Sequence, residues 1–525
     1  MQKVTCNFCT LGCETSLNES DIGVVDIKYS KSGANEGRLC SRGNALPIYL
    51  SSSQRLTSPL RNGQEINWKD ALNEIISALK NYKASEIAIT YDTNLTIEEY
   101  SLVCEFAKIK GITKLASSYI EPEHYFNYVL PDVKIANFDD IKDSKTFFII
   151  GDLFSQFPLI AKAILDVRYC SKQNRIFVLD SFVTPTAGFA DTFIKTDVGK
   201  EALVLLDMAN LAKGKTGELK GGIEQSVLSG VLNSLNESEK AVVIASNSFG
   251  RTTDPMVFSG MAQYFASSLK GDKKFLWLGE SASVPGNVDF SEILSGIKKK
   301  EIKCLLNFGA MSPVYYPQIW EYLDELEFMA STVTMMPELA KNRLSYLFMP
   351  TTLLTETSGT IKTFFEGEKK VINGVKPLSG TKCVGEIVYA LAENKISVVS
   401  PGKTVLKELK LEEVLSRVSN MVIPQGDFVL MGEKTAYQFK GLFSEPIVIM
   451  NSHNAKKLKV KEGSIVEIKS SVGESEFKVN ISDKVPERVL LVSTELPEAR
   501  SLFELNISSG ICEFPPIEVS VCKRD

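Results

Sequence analysis

The sequence predicts a multidomain α/β protein. A small cysteine-bearing module occupies residues 1–60, two α/β lobes with parallel sheets fill 61–395, a linker runs over 396–424, and a β-barrel takes 425–525. Three observations predict this. The chain of 525 residues is too long for one ordinary hydrophobic core. Between residues 70 and 395 short apolar runs alternate with helical stretches. After Pro424-Gln425-Gly426-Asp427 the texture becomes all-β.

The N-terminal module carries short strands such as Val24–Tyr29. Beyond Trp68 the alternation begins: strand at Glu86–Tyr91, helix at Ile97–Ile109, strand at Thr146–Ile150, helix at Leu159–Tyr169, strand at Arg175–Asp180. It resumes at Ala241–Ala245, Phe275–Leu278, Cys304–Phe308 and Phe328–Val333, with helices between. Strands separated by crossovers of this length pair in parallel and are covered on both faces. A linker with Ser400, Pro401 and Gly402 leads to a charged helix near Val405–Val418. The last segment reads as short strands at Ile447–Met450, Ser464–Ile468, Glu476–Ile481 and Val489–Val492, joined by turn residues.

Composition narrows the function. Hydrophobic residues make up 44% and charged residues 23%, the balance of a soluble globular protein. A net charge of −5, without any long Lys/Arg block, argues against nucleic acid as a partner. No apolar run reaches the ~18 residues of a membrane span, and no secretory or twin-arginine signal is visible. The expected place is the cytoplasm, or the cytoplasmic face of a membrane complex, without direct membrane insertion. A reducing compartment also argues against a disulfide scaffold.

Four of the ten cysteines fall within the first forty residues: Cys6, Cys9, Cys13 and Cys40. A trio separated by two and three residues, then a single cysteine after 26 intervening residues, suits one [4Fe–4S] cluster. Three thiolates from one tight loop would wrap one side of the cubane and a distant fourth would close the other. Gly12 and Gly43 would let the backbone come close. Structural zinc is the competing reading, but zinc ribbons usually present two short-spaced pairs. Arg42 either sits against the cluster, favouring its reduced form, or is an ordinary exposed arginine. Cys104, Cys170, Cys304, Cys383, Cys512 and Cys522 read as small buried hydrophobes.

The stretch Gly37-Arg38-Leu39-Cys40-Ser41-Arg42-Gly43 resembles the iron–sulfur domain of the molybdopterin oxidoreductase superfamily. Arg55-Leu56-Thr57-Ser58-Pro59-Leu60, Trp68 and Ala71-Leu72 look like that family's entry into its first α/β domain. Pro185-Thr186-Ala187 with Ala190-Asp191, Thr355-Glu356-Thr357 and Ser358-Gly359-Thr360 are similar to later family segments. Asn454-Ala455, Leu458, Glu462-Gly463 and Val466 look like its C-terminal pterin-dinucleotide-binding barrel. The resemblance covers nearly the whole chain, and is to formate dehydrogenase large subunits and the large iron–sulfur subunit of respiratory complex I in particular.

Against that pattern stand several departures. Catalytic formate dehydrogenases ligate molybdenum or tungsten with cysteine or selenocysteine followed by histidine. The corresponding stretch here, Ser117–Tyr125, holds His124 but no cysteine. Glu123 could serve as a hard oxygen ligand, or both residues are polar loop positions. The segment Asn247–Asp254 lacks the Gln-His pair of active relatives, leaving Arg251 either to face an anion or to lie exposed. The barrel begins Leu430-Met431-Gly432-Glu433-Lys434, without the family's Thr-Gly-Arg pattern or His-rich loop, and Asp197–Ala241 is compact where catalytic relatives carry a long insertion. Only two histidines exist, His124 and His453, which limits acid–base chemistry. No phosphate loop or G-x-G-x-x-G follows a strand, and no hydrolase triad is evident.

The expectation is therefore an iron–sulfur electron-transfer subunit of a NADH-linked or electron-bifurcating oxidoreductase complex, without its own substrate site. Flavin and further iron–sulfur clusters would reside on partner subunits. One alternative is an active enzyme with molybdopterin dinucleotide and Mo or W, binding at the loops Gly151-Asp152-Leu153 and Asp180-Ser181-Phe182. Glu123, His124 and Arg251 are then its candidate catalytic residues. Another is a structural assembly subunit whose cluster only stabilises the fold.

Overall fold

The computed structural model describes residues 2–524 except 7, 21–22, 30, 32, 93, 119–121, 247–251, 280–287, 310–312, 336–345, 399–406, 436–444, 507–509 and 512; the side chains of 2, 20, 23–25, 123 and 313 also lie outside it. The chain groups into two units. The first comprises residues 1–124, 280–405 and 505–512, the second 125–279, 406–504 and 513–525.

The first unit opens with an antiparallel sheet of Gln2–Thr5, Glu14–Ser20 and Gly23–Lys28, in that order. Two short helices, Ser41–Asn44 and Leu46–Leu50, follow. Its main sheet has seven strands, in the order Gln64–Glu65, Leu60–Arg61, Leu347–Pro350, Phe328–Val333, Cys304–Phe308, Ile87–Tyr91, Lys114–Ser117. The last five are parallel, and the first two form an antiparallel edge. Ile87–Tyr91 and Cys304–Phe308 are buried at every position, because helices cover both faces. Helix Trp68–Asn81 lays Ala71, Ile75 and Ala78 into that core at helical spacing, and Asn67 caps it by accepting from the Asp70 N–H. Helix Ile97–Ile109 begins with a reciprocal cap between Thr96 and Glu99. The buried Glu99 carboxyl is pushed upward by desolvation, which outweighs the N–H groups of Thr96 and Gly385 donating to it.

The second unit holds five parallel strands in the order Thr192–Lys195, Arg175–Asp180, Thr146–Ile150, Lys240–Ala245, Asp272–Trp277. Helices Glu201–Ala212, Gln225–Glu237 and Pro255–Ser268 bury Leu205, Leu232 and Phe265 with Phe148 and Val243 of the sheet. A second, nearly closed sheet of seven mixed strands runs Ile517–Glu518, Val429–Glu433, Val489–Ser493, Ile447–Met450, Glu474–Ile481, Ile465–Lys469, Ser520–Lys523. Phe182, just beyond Arg175–Asp180, joins Val429, Met431, Val489 and Leu491 in one apolar cluster. The loop at the end of that parallel strand is thereby fixed against the barrel.

The predicted fold class agrees with this architecture, with local corrections. The charged helix starts at Leu411 rather than near Val405, because Lys407–Glu408 is extended and pairs with Tyr128–Val129. Cys170 and Cys522 are exposed rather than buried, and Cys512 lies outside the described residues. Cys383 is a helix cap, its sulfur accepting from the Glu386 N–H at 3.4 Å.

Candidate functional site: the four-cysteine loop and the strand ends

The cysteine trio sits where the first two strands meet. The Cys6 N–H donates to the Cys13 carbonyl at 2.8 Å and closes the loop. Gly12 has φ of +73°, and a Cβ there would lie 2.3 Å from Thr363 Cγ2, so only glycine serves. The hairpin of Gly359–Thr363 and Gly367–Val371 supports the loop from beneath. The Phe364 N–H donates to Thr10 at 2.7 Å and the Phe365 N–H to Leu11 at 3.3 Å. Phe8, within the loop, meets Tyr49 edge to face at 5.7 Å.

Cys40 reaches the same place from the segment before helix Ser41–Asn44, as its N-cap residue. Asn35 ties that segment down. Its Oδ1 accepts from the Glu14 N–H at 2.8 Å, and its Nδ2 donates to the carbonyls of Glu14 and Arg38 at 2.9 and 2.7 Å. Sequence reading missed Asn35, since an asparagine in a Gly- and Ser-rich turn looks like any other turn residue.

Cys6 and Cys13 are buried, and Cys9 and Cys40 are half-buried. Desolvation raises the Cys6 thiol well above its ordinary value, reinforced by Cys40 and Cys9 and opposed by Arg42. The Cys13 thiol is also raised, first by burial and then by Cys9, Cys6 and Cys40. The structure thus brings all four cysteines into mutual electrostatic range. Among the described residues no group of three or more His, Cys, Asp or Glu forms a cage for a single metal ion. Arg42 is buried, not an exposed surface arginine, and its charge reaches Cys6.

In each parallel sheet the strand order reverses at one point, and α/β folds of this kind take ligands there, outside the carboxyl ends of the strands. In the first unit it lies between Ile87–Tyr91 and Cys304–Phe308. The Asp92 carboxylate there passes flat against Gly309, where a Cβ would meet it at 2.3–2.6 Å. Below it Thr90, Asn307 and Ser331 form a buried hydrogen-bonded row across three strands, at 2.8 and 3.0 Å.

In the second unit the reversal lies between Thr146–Ile150 and Lys240–Ala245. Asp152 accepts from the Thr186 N–H and hydroxyl at 3.2 and 2.7 Å, and Asp180 accepts from the Ser181 N–H at 2.7 Å. The Ser181 and Thr196 hydroxyls are buried without a hydrogen-bond partner among the described residues. The Thr196 N–H donates to the Asp180 carbonyl, so the two hydroxyls flank one strand end. Orphaned buried hydroxyls call for a polar ligand or water.

The remaining candidates are less gathered. Residues Pro122–Asn127 form a 3-10 helix, with His124 half-buried on it. The Glu123 side chain and Arg251 lie outside the described residues.

The chain thus joins a four-cysteine loop module to two parallel sheets and a nearly closed mixed sheet. Residues 2–52 match the molybdopterin oxidoreductase Fe4S4 domain and residues 430–510 the molydopterin dinucleotide binding domain. Both matched segments, near the two ends of the chain, thus resemble domains of the molybdopterin oxidoreductases. The chain is 29% identical over 212 residues to the F420-dependent formate dehydrogenase 1 subunit alpha of Methanococcus maripaludis, covering 38% of this chain and 31% of that one. A nitrate reductase of Klebsiella oxytoca is 22% identical over 258 residues, covering 46% and 28%. The NADPH-Fe(3+) oxidoreductase subunit alpha of Geobacter sulfurreducens is 32% identical over 80 residues, covering 15% and 10%. These matches span about a third or less of the relatives' own length. The acetylene hydratase of Pelobacter acetylenicus shares the fold, with a TM-score of 0.77 over 100% of both chains at 11% identity. Among the described residues no helix is long and apolar enough to cross a membrane.

Proposed function

We propose that this chain is an iron–sulfur electron-transfer subunit of a multi-subunit oxidoreductase complex, of NADH-linked or electron-bifurcating type, without a substrate site of its own. Cys6, Cys9, Cys13 and Cys40 hold one [4Fe–4S] cluster in a module spanning residues 1–60. The lobes at 61–395, the linker at 396–424 and the barrel at 425–525 form its scaffold. Flavin and further iron–sulfur clusters belong to partner subunits, at a cytoplasmic location.

The carrying observation is the convergence of four cysteines, from the Cys6–Cys13 loop and from the start of helix Ser41–Asn44, within electrostatic range of one another. The donor set fits a cubane cluster, which supplies reversible acceptance of one electron. The loop shields the buried Cys6 and Cys13 sulfurs from water. Arg42 places a fixed positive charge beside Cys6, which favours the more negative, reduced state.

A second reading, a bound pterin dinucleotide, rests on Ser181 and Thr196, whose buried hydroxyls lack partners at the strand ends of the second unit. Metal and pterin analysis of the natively purified complex separates the two. Iron near four per copy, with no molybdenum, tungsten or pterin, is the expected result. Stoichiometric molybdenum or tungsten would overturn it and make Glu123, His124 and Arg251 the residues to mutate. A cluster that the complex's donor cannot reduce would instead indicate structural assembly.

A further inference from the structure

Among the described residues of the cysteine module, Tyr29 and Ile48 are the large apolar side chains that stand exposed, at 58% and 51%. Three observations place them on one face. The Tyr29 hydroxyl donates to Asn44 Oδ1 at 2.6 Å. Asn44 and Ile48 stand four residues apart on a nearly continuous helical run, since Ala45 donates to Ser41 and Tyr49 to Ala45. Helix Leu46–Leu50 packs on strand Gly23–Lys28, which leads directly to Tyr29. The same Asn44 donates through Nδ2 to the Cys40 carbonyl at 3.1 Å. An exposed aromatic residue is therefore linked by two hydrogen bonds to the backbone of the fourth cysteine.

Charge surrounds this face unevenly. Lys28 and Lys31 flank Tyr29, are exposed, and make no ion pair among the described residues. Asp26, two residues back along the strand, is the nearest acid in sequence, and Arg38 is already paired with Glu36. Unpaired lysines around an apolar centre, on a chain whose net charge is −5, suit a partner with carboxylates around its own centre.

We propose that the face of Tyr29, Asn44 and Ile48, rimmed by Lys28 and Lys31, docks an acidic one-electron carrier protein. The exchange is a transfer of one electron: the carrier is oxidised by one electron and this chain reduced by one, with no bond or proton moved. The proposal rests on the electron-transfer reading above, but its test does not need electron flow.

The full chain is titrated with an acidic [2Fe–2S] ferredoxin as probe, and binding is measured calorimetrically at low and high salt. Binding is expected to weaken with salt, and to weaken about tenfold in Lys28→Glu/Lys31→Glu. Ile48→Ser, a neutral change at an exposed position, is expected to weaken it equally at low and high salt, with circular dichroism confirming that both variants fold. No binding by the wild type, tighter binding to a basic cytochrome c, or an unchanged constant in both variants would overturn the docking face. Failure of dithionite to reduce any cluster would instead sink the electron-transfer reading, whatever the binding shows.

Discussion

Arg55 and Glu356 form a buried fork-to-fork ion pair across 301 residues of chain, at 2.8 and 2.6 Å, with side chains 1% and 2% exposed. Glu356 is satisfied further by the N–H groups of Leu353 at 2.8 Å and Leu378 at 3.2 Å, and Arg55 donates to the Leu50 carbonyl at 3.0 Å. The pair pins the chain leaving the cysteine module to the loop before the Gly359–Thr363 hairpin. Changing Arg55 to Met leaves a carboxylate in a dry site, with two backbone donors but no cation. Breaking such a pair costs about 3–5 kcal/mol, which for a unit of this size lowers its melting midpoint by roughly 10 °C. The first unit carries Trp68 and Trp320 and the second Trp277, so tryptophan fluorescence combined with calorimetry would follow the units, which need not melt together.

The test of the reasoning is the double variant. Replacing both partners, Arg55→Met with Glu356→Leu, removes the stranded charge and should recover all but about 1–2 kcal/mol. If the single change costs under about 1 kcal/mol, the pair is not desolvated as the structure shows. If the double variant is as unstable as the single, geometry rather than charge is what the pair supplies. Bound iron in both variants would report whether the clamp also holds the cysteine loop in place.

Two further outcomes are expected. Gly12→Ala places a side chain at positive φ and against Thr363; strain of about 1–3 kcal/mol should displace the loop and lower iron per chain at least severalfold, and unchanged iron content would refute the role of Gly12. Burial resists ionisation of Asp140, but the Lys274 ammonium and the Asn137 N–H outweigh it and hold the carboxyl below its ordinary value of 3.8. A depressed folded value means its stabilisation is complete above 3.8 and lost as pH falls through the folded value. Asp140→Asn should therefore cost of order 1 kcal/mol at neutral pH and flatten the acid limb of a urea-unfolding series; an unchanged limb would contradict this.

Much of the local structure was legible in the residues. The strands at Thr146–Ile150, Arg175–Asp180, Cys304–Phe308 and Phe328–Val333 lie where the apolar runs place them. Fully buried parallel strands are short runs bounded by turn residues, so pattern alone locates them. Helix Ile97–Ile109 is announced by the Thr96 and Glu99 cap. Spatial order is another matter. Cys304–Phe308 pairs with Ile87–Tyr91 although the whole five-stranded lobe lies between them in sequence. Little in either strand records its neighbour, because the apolar positions pack with any other strand and the Thr90–Asn307 hydrogen bond that joins them is visible only once they are paired. Resemblance marked both Arg55 and Glu356 without indicating that they touch. The cysteine spacing announced a site, whereas the burial of Arg42 depends on how helix Ser41–Asn44 lies and has no signature in sequence.

The cysteine pocket also bears on the choice between cluster and zinc. A structural zinc site needs four sulfurs about 2.3 Å from one doubly charged ion, whereas a cubane core is larger and spreads its charge over several irons. Burial and mutual repulsion raise the Cys6 and Cys13 thiols, and Arg42 is the named cation opposing this at Cys6. One guanidinium cannot offset four thiolates in a largely buried loop, so protons or metal must supply the remaining positive charge. A larger inorganic core spreads that charge across the space the four sulfurs enclose, and Arg42 then acts on the residual negative charge of the whole assembly. A buried cation beside Cys6 suits a centre that gains negative charge on reduction, as a cluster does and a redox-inert structural zinc does not.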